Sequence, residues 1–182
     1  MLSLREGDPR AFEALFERWA RPLLRYLERM VRDRGMAEEL VQETFLRVYR
    51  ARERYAPEAR FSTWLYRIAT NLALNELRRP RFREPHDPLD APGARVPRAG
   101  SPPPDELAHA RRRVSAVERA FAALPERQGA ALWLVSVEGQ SYAEVAASLD
   151  VTESAVKALV HRARANLVER LELDPGSRDE GE

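Results

Sequence analysis

Residues 60–83 concentrate the side chains that unpaired nucleic acid needs. Arg60, Arg67, Arg78, Arg79, Arg81 and Arg83 stand there against a single acid, Glu76, with Phe61, Trp64, Tyr66 and Phe82 interleaved. Aromatic faces stack on exposed bases, guanidinium groups pair with phosphate, and carboxamides hydrogen-bond base edges. At about 100° per residue, Trp64, Arg67, Asn71, Asn75 and Arg78 fall on one strip of a helix. Leu65, Ile68, Ala69 and Leu72 lie beside that strip on the core side. The same pattern also fits an ordinary basic surface with Trp64 in the core.

A second set lies at residues 142–161. Val145, Leu149, Val151, Val156 and Leu159 are apolar where two crossed helices must pack, and Ala146 is small where they approach. Ser141-Tyr-Ala-Glu144 is a capping box, in which the serine accepts from a free amide and the glutamate reaches back. Asp150 holds the turn, at a position that wants positive φ. On the last helix Val156, Leu159, Val160, Ala163 and Leu167 share one side. Ser154, Lys157, Ala158, His161 and Arg164 face the other way, with Arg162 at the edge. Small residues flanked by cations suit a helix lying in a major groove, so this segment reads as a helix-turn-helix. A plain helical hairpin with a solvated face is the alternative.

A third set is acidic. Glu38, Glu39, Gln42 and Glu43 occupy the polar side of one helix, with Arg47 a turn after Glu43. It fits either an i,i+4 ion pair on a solvated face or a patch that docks a protein. Enzyme chemistry has no footing: there is no glycine-rich phosphate loop, no Ser-His-Asp set, and no carboxylate cluster beside a histidine. Without cysteine there are no disulfides or thiolate metal sites. His86, His109 and His161 have no metal-ligand spacing, so neither a metal nor a cofactor is expected.

These sets require helices to hold them. Asp8-Pro9 opens the first as a cap followed by proline. Phe12, Leu15, Phe16, Trp19, Leu23, Leu27 and Met30 give it an apolar stripe; Pro22 should kink or break it, and Gly35 should end it. A second helix is expected from about residue 37 to 52, with Leu40, Val41, Phe45 and Val48 inward, and a third from about Ser62 to before Pro80. Residues 80–104 hold eight of the thirteen prolines and read as an extended linker. Beyond it a helix from about Asp105 should bury Val114, Val117, Phe121 and Leu124. Pro125 starts another that Gly139 ends, and the helix-turn-helix follows to about Leu173. No strand pattern is present, so the fold class is all-α: two small helical domains, 1–80 and 105–173, a linker 81–104, and an acidic tail 174–182 expected to be disordered.

The net charge of +1 conceals a gradient. Residues 1–80 carry sixteen arginines against twelve acids, whereas residues 113–173 carry seven basic residues against eight acids. Nothing resembles a transmembrane run or a signal peptide, so a cytoplasmic protein without membrane contact of its own is expected.

Taken in order, these segments resemble the extracytoplasmic-function (ECF) group of the sigma-70 family of RNA polymerase sigma factors, over about three-quarters of the chain. Residues 37–51 are similar to the region-2 helix that grips the polymerase clamp, with Glu39 where Asp is commoner. Phe61-Ser-Thr-Trp-Leu-Tyr-Arg-Ile-Ala-Thr-Asn71 is similar to the segment that reads the −10 element. Residues 113–173, with Ala123-Leu-Pro-Glu-Arg-Gln128, are similar to region 4, although Val156-Lys-Ala-Leu159 replaces the frequent Val-Lys-Ser-Arg. The resemblance implies promoter-specific transcription initiation. Glu39, Gln42, Glu43 and Arg47 would dock on core RNA polymerase. Arg60, Thr63, Trp64, Arg67, Asn71, Asn75 and Arg78 would meet the −10 strand, and Ser154, Lys157, His161, Arg162 and Arg164 the −35 duplex. It also implies an anti-sigma partner. Two rivals stay open: a repressor using only residues 105–173, which leaves the first and third sets unexplained, and a decoy that traps a regulator, which the intact Trp64 and Lys157 oppose.

Overall fold

A computed structural model describes residues 1–57, 59–79 and 105–173, with side chains from 114 onward in the last stretch. The expected linker 81–104 and acidic tail 174–182 lie outside the described residues. The rest is all-α. In chain order the helices are α1 (Leu2–Arg5), α2 (Pro9–Val31), α3 (Arg34–Arg50), a 3-10 turn (Arg52–Arg54), α4 (Phe61–Leu77), α5 (Asp105–Ala122), α6 (Glu126–Ser136), α7 (Tyr142–Leu149) and α8 (Glu153–Leu173).

Asp8 caps α2 as expected, its carboxylate accepting from the Arg10 amide at 2.9 Å. Pro22 does not break the helix, which runs on for nine residues to Val31. A helical proline costs about 3 kcal/mol. The residues after it, Leu23, Tyr26, Leu27 and Met30, are all buried, each recovering about 1.5–3 kcal/mol. Packing therefore outweighs the lost hydrogen bond. Nor does Gly35 end α2. Arg32 takes the left-handed cap at φ 57°, and the Asp33 carboxylate, accepting from the Met36 amide at 2.8 Å, starts α3 two residues before Gly35 can act.

Helices α2, α3 and α4 enclose an aromatic core. The Tyr26 and Tyr66 rings meet edge-on at 5.2 Å, and Trp19 touches both Phe61 and Tyr66. The Thr70 hydroxyl donates to the Tyr66 carbonyl at 2.6 Å, so Tyr26 Oη must be the donor in its own 2.6 Å bond to Thr70 Oγ1. Burial, partly offset by the Thr70 bond, raises the Tyr26 pKa and keeps the phenol neutral.

In the second half α6, α7 and α8 pack on one another, and α5 lies along α8. The expected stripe of α5 is wrong in part. Val114 and Val117 are 59% and 47% exposed, while Ala116 and Ala120 are buried, so α5 turns its small edge inward. Leu124 is buried and Phe121 half-buried, edge-on to Trp133 at 5.9 Å.

The two halves touch. α4 packs on α7, α2 packs on α6, and buried residues from both join in one cluster. The seam is partly polar. Ser148 Oγ donates to the Thr63 carbonyl at 3.2 Å, Arg60 pairs with Glu144 at 3.3 Å, and Arg29 with Glu118 at 2.8 Å. Thr63 Oγ1, Tyr66 Oη and Gln140 Nε2 are buried without hydrogen-bond partners among the described residues. Tyr66 stays protonated because burial first, and then the nearby Glu138 carboxylate, raise its pKa.

Candidate nucleic-acid and protein-docking faces

Helix α4 places the aromatic–arginine set on two of its sides. Arg67, Asn71, Asn75 and Arg78 are exposed along one strip. Trp64 is half-buried at its head, with its ring 5.1 Å from Tyr55 and 6.1 Å from Phe61. An indole wedged between two rings is rigid, which suits a stacking platform. Arg60, just before the helix, is exposed and leans on Glu144. Thr63 is separated from the others: it is 3% exposed, under Ser148 in the seam.

The helix-turn-helix follows its sequence closely. Both halves of the capping box are present: Ser141 Oγ accepts from the Glu144 amide at 3.2 Å, and Glu144 accepts from the Ser141 amide at 2.8 Å. The Ser141 amide, then its hydroxyl, and Arg60 more weakly hold the Glu144 carboxyl below the usual carboxylate range. Asp150 adopts φ 55°, ψ 52°, the left-handed turn expected of it. Thr152 Oγ1 accepts from the Ala155 amide at 3.2 Å and so starts α8. Val156, Val160 and Ala163 are buried, with Leu159 and Leu167 half-buried. Ser154, Lys157, His161, Arg162 and Arg164 are all exposed. That side of α8 is a continuous polar surface with the one lysine of the chain near its centre.

On α3, Glu39 and Gln42 are exposed, and Glu43 is bound by Arg47 at 2.7 Å. The ion pair and the polar face therefore coexist. Sequence reading missed two neighbours. Leu46 and Tyr49 are 41% and 43% exposed, large apolar groups one and two turns beyond Gln42. Arg52 lies over the Tyr49 ring at 4.2 Å. Their positions four and seven residues after Gln42 were a usable signal, hidden because an apolar residue on a helix is assigned inward by default. An acidic rim beside exposed Leu and Tyr is the composition of a protein-docking surface.

Among the described residues no helix is long and apolar enough to cross a membrane.

Comparison with known proteins agrees with this layout. Sigma-70 region 2 matches residues 15–83, and sigma-70 region 4 matches residues 115–167. The chain is 35% identical over 175 residues to the RNA polymerase sigma factor CarQ of Myxococcus xanthus, covering 94% of this chain and 95% of CarQ. It is 37% identical to the ECF RNA polymerase sigma factor SigE of Mycolicibacterium smegmatis over 88% of its own length, but spans only 63% of that relative. It is 32% identical to the ECF RNA polymerase sigma-E factor of Escherichia coli K12, covering 88% of this chain and 86% of the relative. Two solved structures share the fold. One is CnrH in complex with the cytosolic domain of CnrY, with TM-score 0.67, 24% identity and 93% of each chain covered. The other is the Bartonella quintana sigma factor RpoE in complex with the anti-sigma factor NepR, with TM-score 0.66, 23% identity, and 90% of this chain and 98% of that one covered. With both regions matched in order and two of these relatives covered over 86% and 95% of their length, the chain belongs to the ECF group of the sigma-70 family.

Proposed function

We propose that this chain joins core RNA polymerase to promoter DNA, reading duplex with α8 and capturing unpaired strand with α4. The observation that carries the reading is the presence on one chain of two faces of different design, each with side chains suited to nucleic acid. α8 offers cations and small residues for a groove, and α4 offers a wedged indole followed by Arg, Asn, Asn and Arg. Extruding a base costs a few kcal/mol, and stacking recovers about 1–3 kcal/mol per base. Trp64, Arg67, Asn71 and Asn75 would thus shift the duplex equilibrium toward the melted −10 strand with no covalent step. Arg60 and Arg78 add phosphate contacts, and Thr63 joins them once the seam opens. Ser154, Lys157, His161, Arg162 and Arg164 serve the −35 duplex. Residues 1–80 and 105–173 are then the two working domains and 81–104 their tether.

Glu39, Gln42, Glu43 and Arg47, extended by Leu46 and Tyr49, form the polymerase-docking face. An anti-sigma protein is a fitting regulator, since the similar RpoE was solved with one.

Run-off transcription with bacterial core polymerase on the chain's own upstream DNA tests the whole reading. A discrete start site that depends on the chain is expected; neither a product nor a stable complex with core would sink it. Glu39→Arg with Gln42→Ala should weaken core binding, and unchanged holoenzyme formation removes the docking assignment.

A further inference from the structure

Helix α2 carries a feature that no part of the proposed function uses. Arg18, Arg21, Arg25 and Arg29 recur at three- and four-residue spacing, so they line one side of the helix over roughly 17 Å, and Arg32 follows them as its left-handed cap. Of the acids of α2, Glu13 stands off this line, Glu17 and Glu28 lie at its edge, and Glu28 pairs with Arg34 of α3 at 3.8 Å. Arg21, Arg25 and Arg32 are exposed and have no ion pair among the described residues. Arg18 rests 5.5 Å from the Trp19 ring. Like charges one helical turn apart repel, so the row opposes the helix that bears it.

One arginine of the row already holds an anion from elsewhere. Glu118 of α5 places a carboxylate 2.8 Å from the Arg29 guanidinium, across the seam between the two halves. Arg29 and Arg32 also line the small crevice that contains Glu126. Tyr66 senses the charges of both Arg25 and Glu138. One carboxylate of the second half, Glu118, is thus seated on an arginine of the first.

We propose that the α2 arginine row is a sequence-independent track for the phosphate backbone of promoter DNA, which Glu118 occupies on Arg29 while the two halves are closed. This rests on the promoter reading above. Successive arginines lie about 5–6 Å apart along the helix, a linear array that suits a regular polyanion better than a discrete acidic pocket. α2 packs directly on α4, so a strand captured by Trp64 and its neighbours has duplex continuing beside the same three-helix unit. When α5 withdraws, Arg29 is released and the row becomes continuous. DNA and the second half then compete for the same cations.

The experiment uses holoenzyme reconstituted from core polymerase and the full chain, titrated with promoter duplex and with an unrelated duplex across a range of salt. Arg21→Gln/Arg25→Gln/Arg32→Gln breaks no ion pair among the described residues and keeps helix propensity at 21 and 25. It should weaken both duplexes alike and flatten the plot of log K against log salt by about 2 to 3, at about 0.9 per phosphate contact. The corresponding Lys triple should restore the slope, which separates charge from helix damage. Glu118→Gln should raise unrelated-duplex binding by the free chain a few-fold, because Arg29 loses its internal anion. An unchanged slope in the Gln triple overturns the track. So does a defect confined to core binding, which would make the row a polymerase contact. Should the wild-type holoenzyme open no promoter, the promoter reading fails separately, and the unrelated-duplex slope still decides the row.

Discussion

Helices α8 and α4 are held in place by different means. α8 closes a unit in which near neighbours do the holding: Ser141 and Glu144 cap α7 reciprocally, Asp150 makes the turn, and Thr152 starts α8. α4 begins at Arg60 with no side-chain cap and is fixed from two sides, by α2 and α3 on one and by α7 on the other. A locally held unit keeps its shape when its surroundings move. A helix gripped from two sides changes what it exposes when one side leaves, and Thr63 and Tyr66 are what α4 would expose. Thr63 Oγ1 and Gln140 Nε2 are buried at the seam without hydrogen-bond partners among the described residues, each costing about 1–3 kcal/mol, which weakens the α7 side.

The sharpest test of that contrast is to empty the core on each side of the seam. Leu27 and Leu134 are fully buried, and truncating either to Ala should cost about 2–5 kcal/mol in urea denaturation. If the halves form one cooperative body, both variants shift one transition. Two transitions, each moved by one variant alone, would mean the halves fold independently. Function should divide along the same line. Trp64→Ala is expected to lose about 1–3 kcal/mol of stacking and impair promoter opening, read by permanganate footprinting, while −35 duplex binding is spared. Lys157→Ala should do the reverse, and equal loss of both activities in either variant contradicts the division.

Thr70→Val probes how α4 is held from the α2 side. It leaves the buried Tyr26 hydroxyl without its acceptor and should cost about 1–3 kcal/mol by thermal unfolding, most of it recovered when Tyr26→Phe is added. Ser141→Ala is the smallest effect, about 1 kcal/mol, and belongs to the other side. Glu144 has a depressed pKa, so its share of stability is present above the unfolded carboxylate pKa and is lost as pH falls through the folded value. The Ser141→Ala deficit should therefore be widest near neutrality and narrow in acid; a deficit independent of pH would detach Glu144 from the cap.

The same contrast explains what the sequence disclosed. The capping box, the left-handed Asp150 and the two sides of α8 were legible because each depends on residues a few positions apart. The three expected helices of the first half were legible too, from their apolar spacing. What escaped depends on distant partners. Pro22 looked like a break because its cost is local, while its compensation, the burial of Leu23, Tyr26 and Leu27, is tertiary. Gly35 looked like a stop because nothing marked Arg32 as willing to turn left-handed. Val114 and Val117 looked buried because size is a better cue to burial than alanine, yet Ala116 and Ala120 are the residues α5 turns inward. Among the candidate site residues, those of α8 are all exposed, those of α4 are exposed or half-buried except for Thr63, and α3 concealed Leu46 and Tyr49 behind their apolarity.

Pro22 has one more consequence. Lacking an amide proton, it leaves the Arg18 carbonyl without its helical donor, so the 23-residue α2 is one hydrogen bond short between an earlier and a later part of its ladder. The later part lies over fully buried side chains, and its amides can exchange with solvent only when the core itself comes apart. The earlier part, resting on half-buried Phe12, Leu15 and Trp19, can fray alone. The proline thus removes one hydrogen bond between the two, one turn before the tyrosine that supports α4.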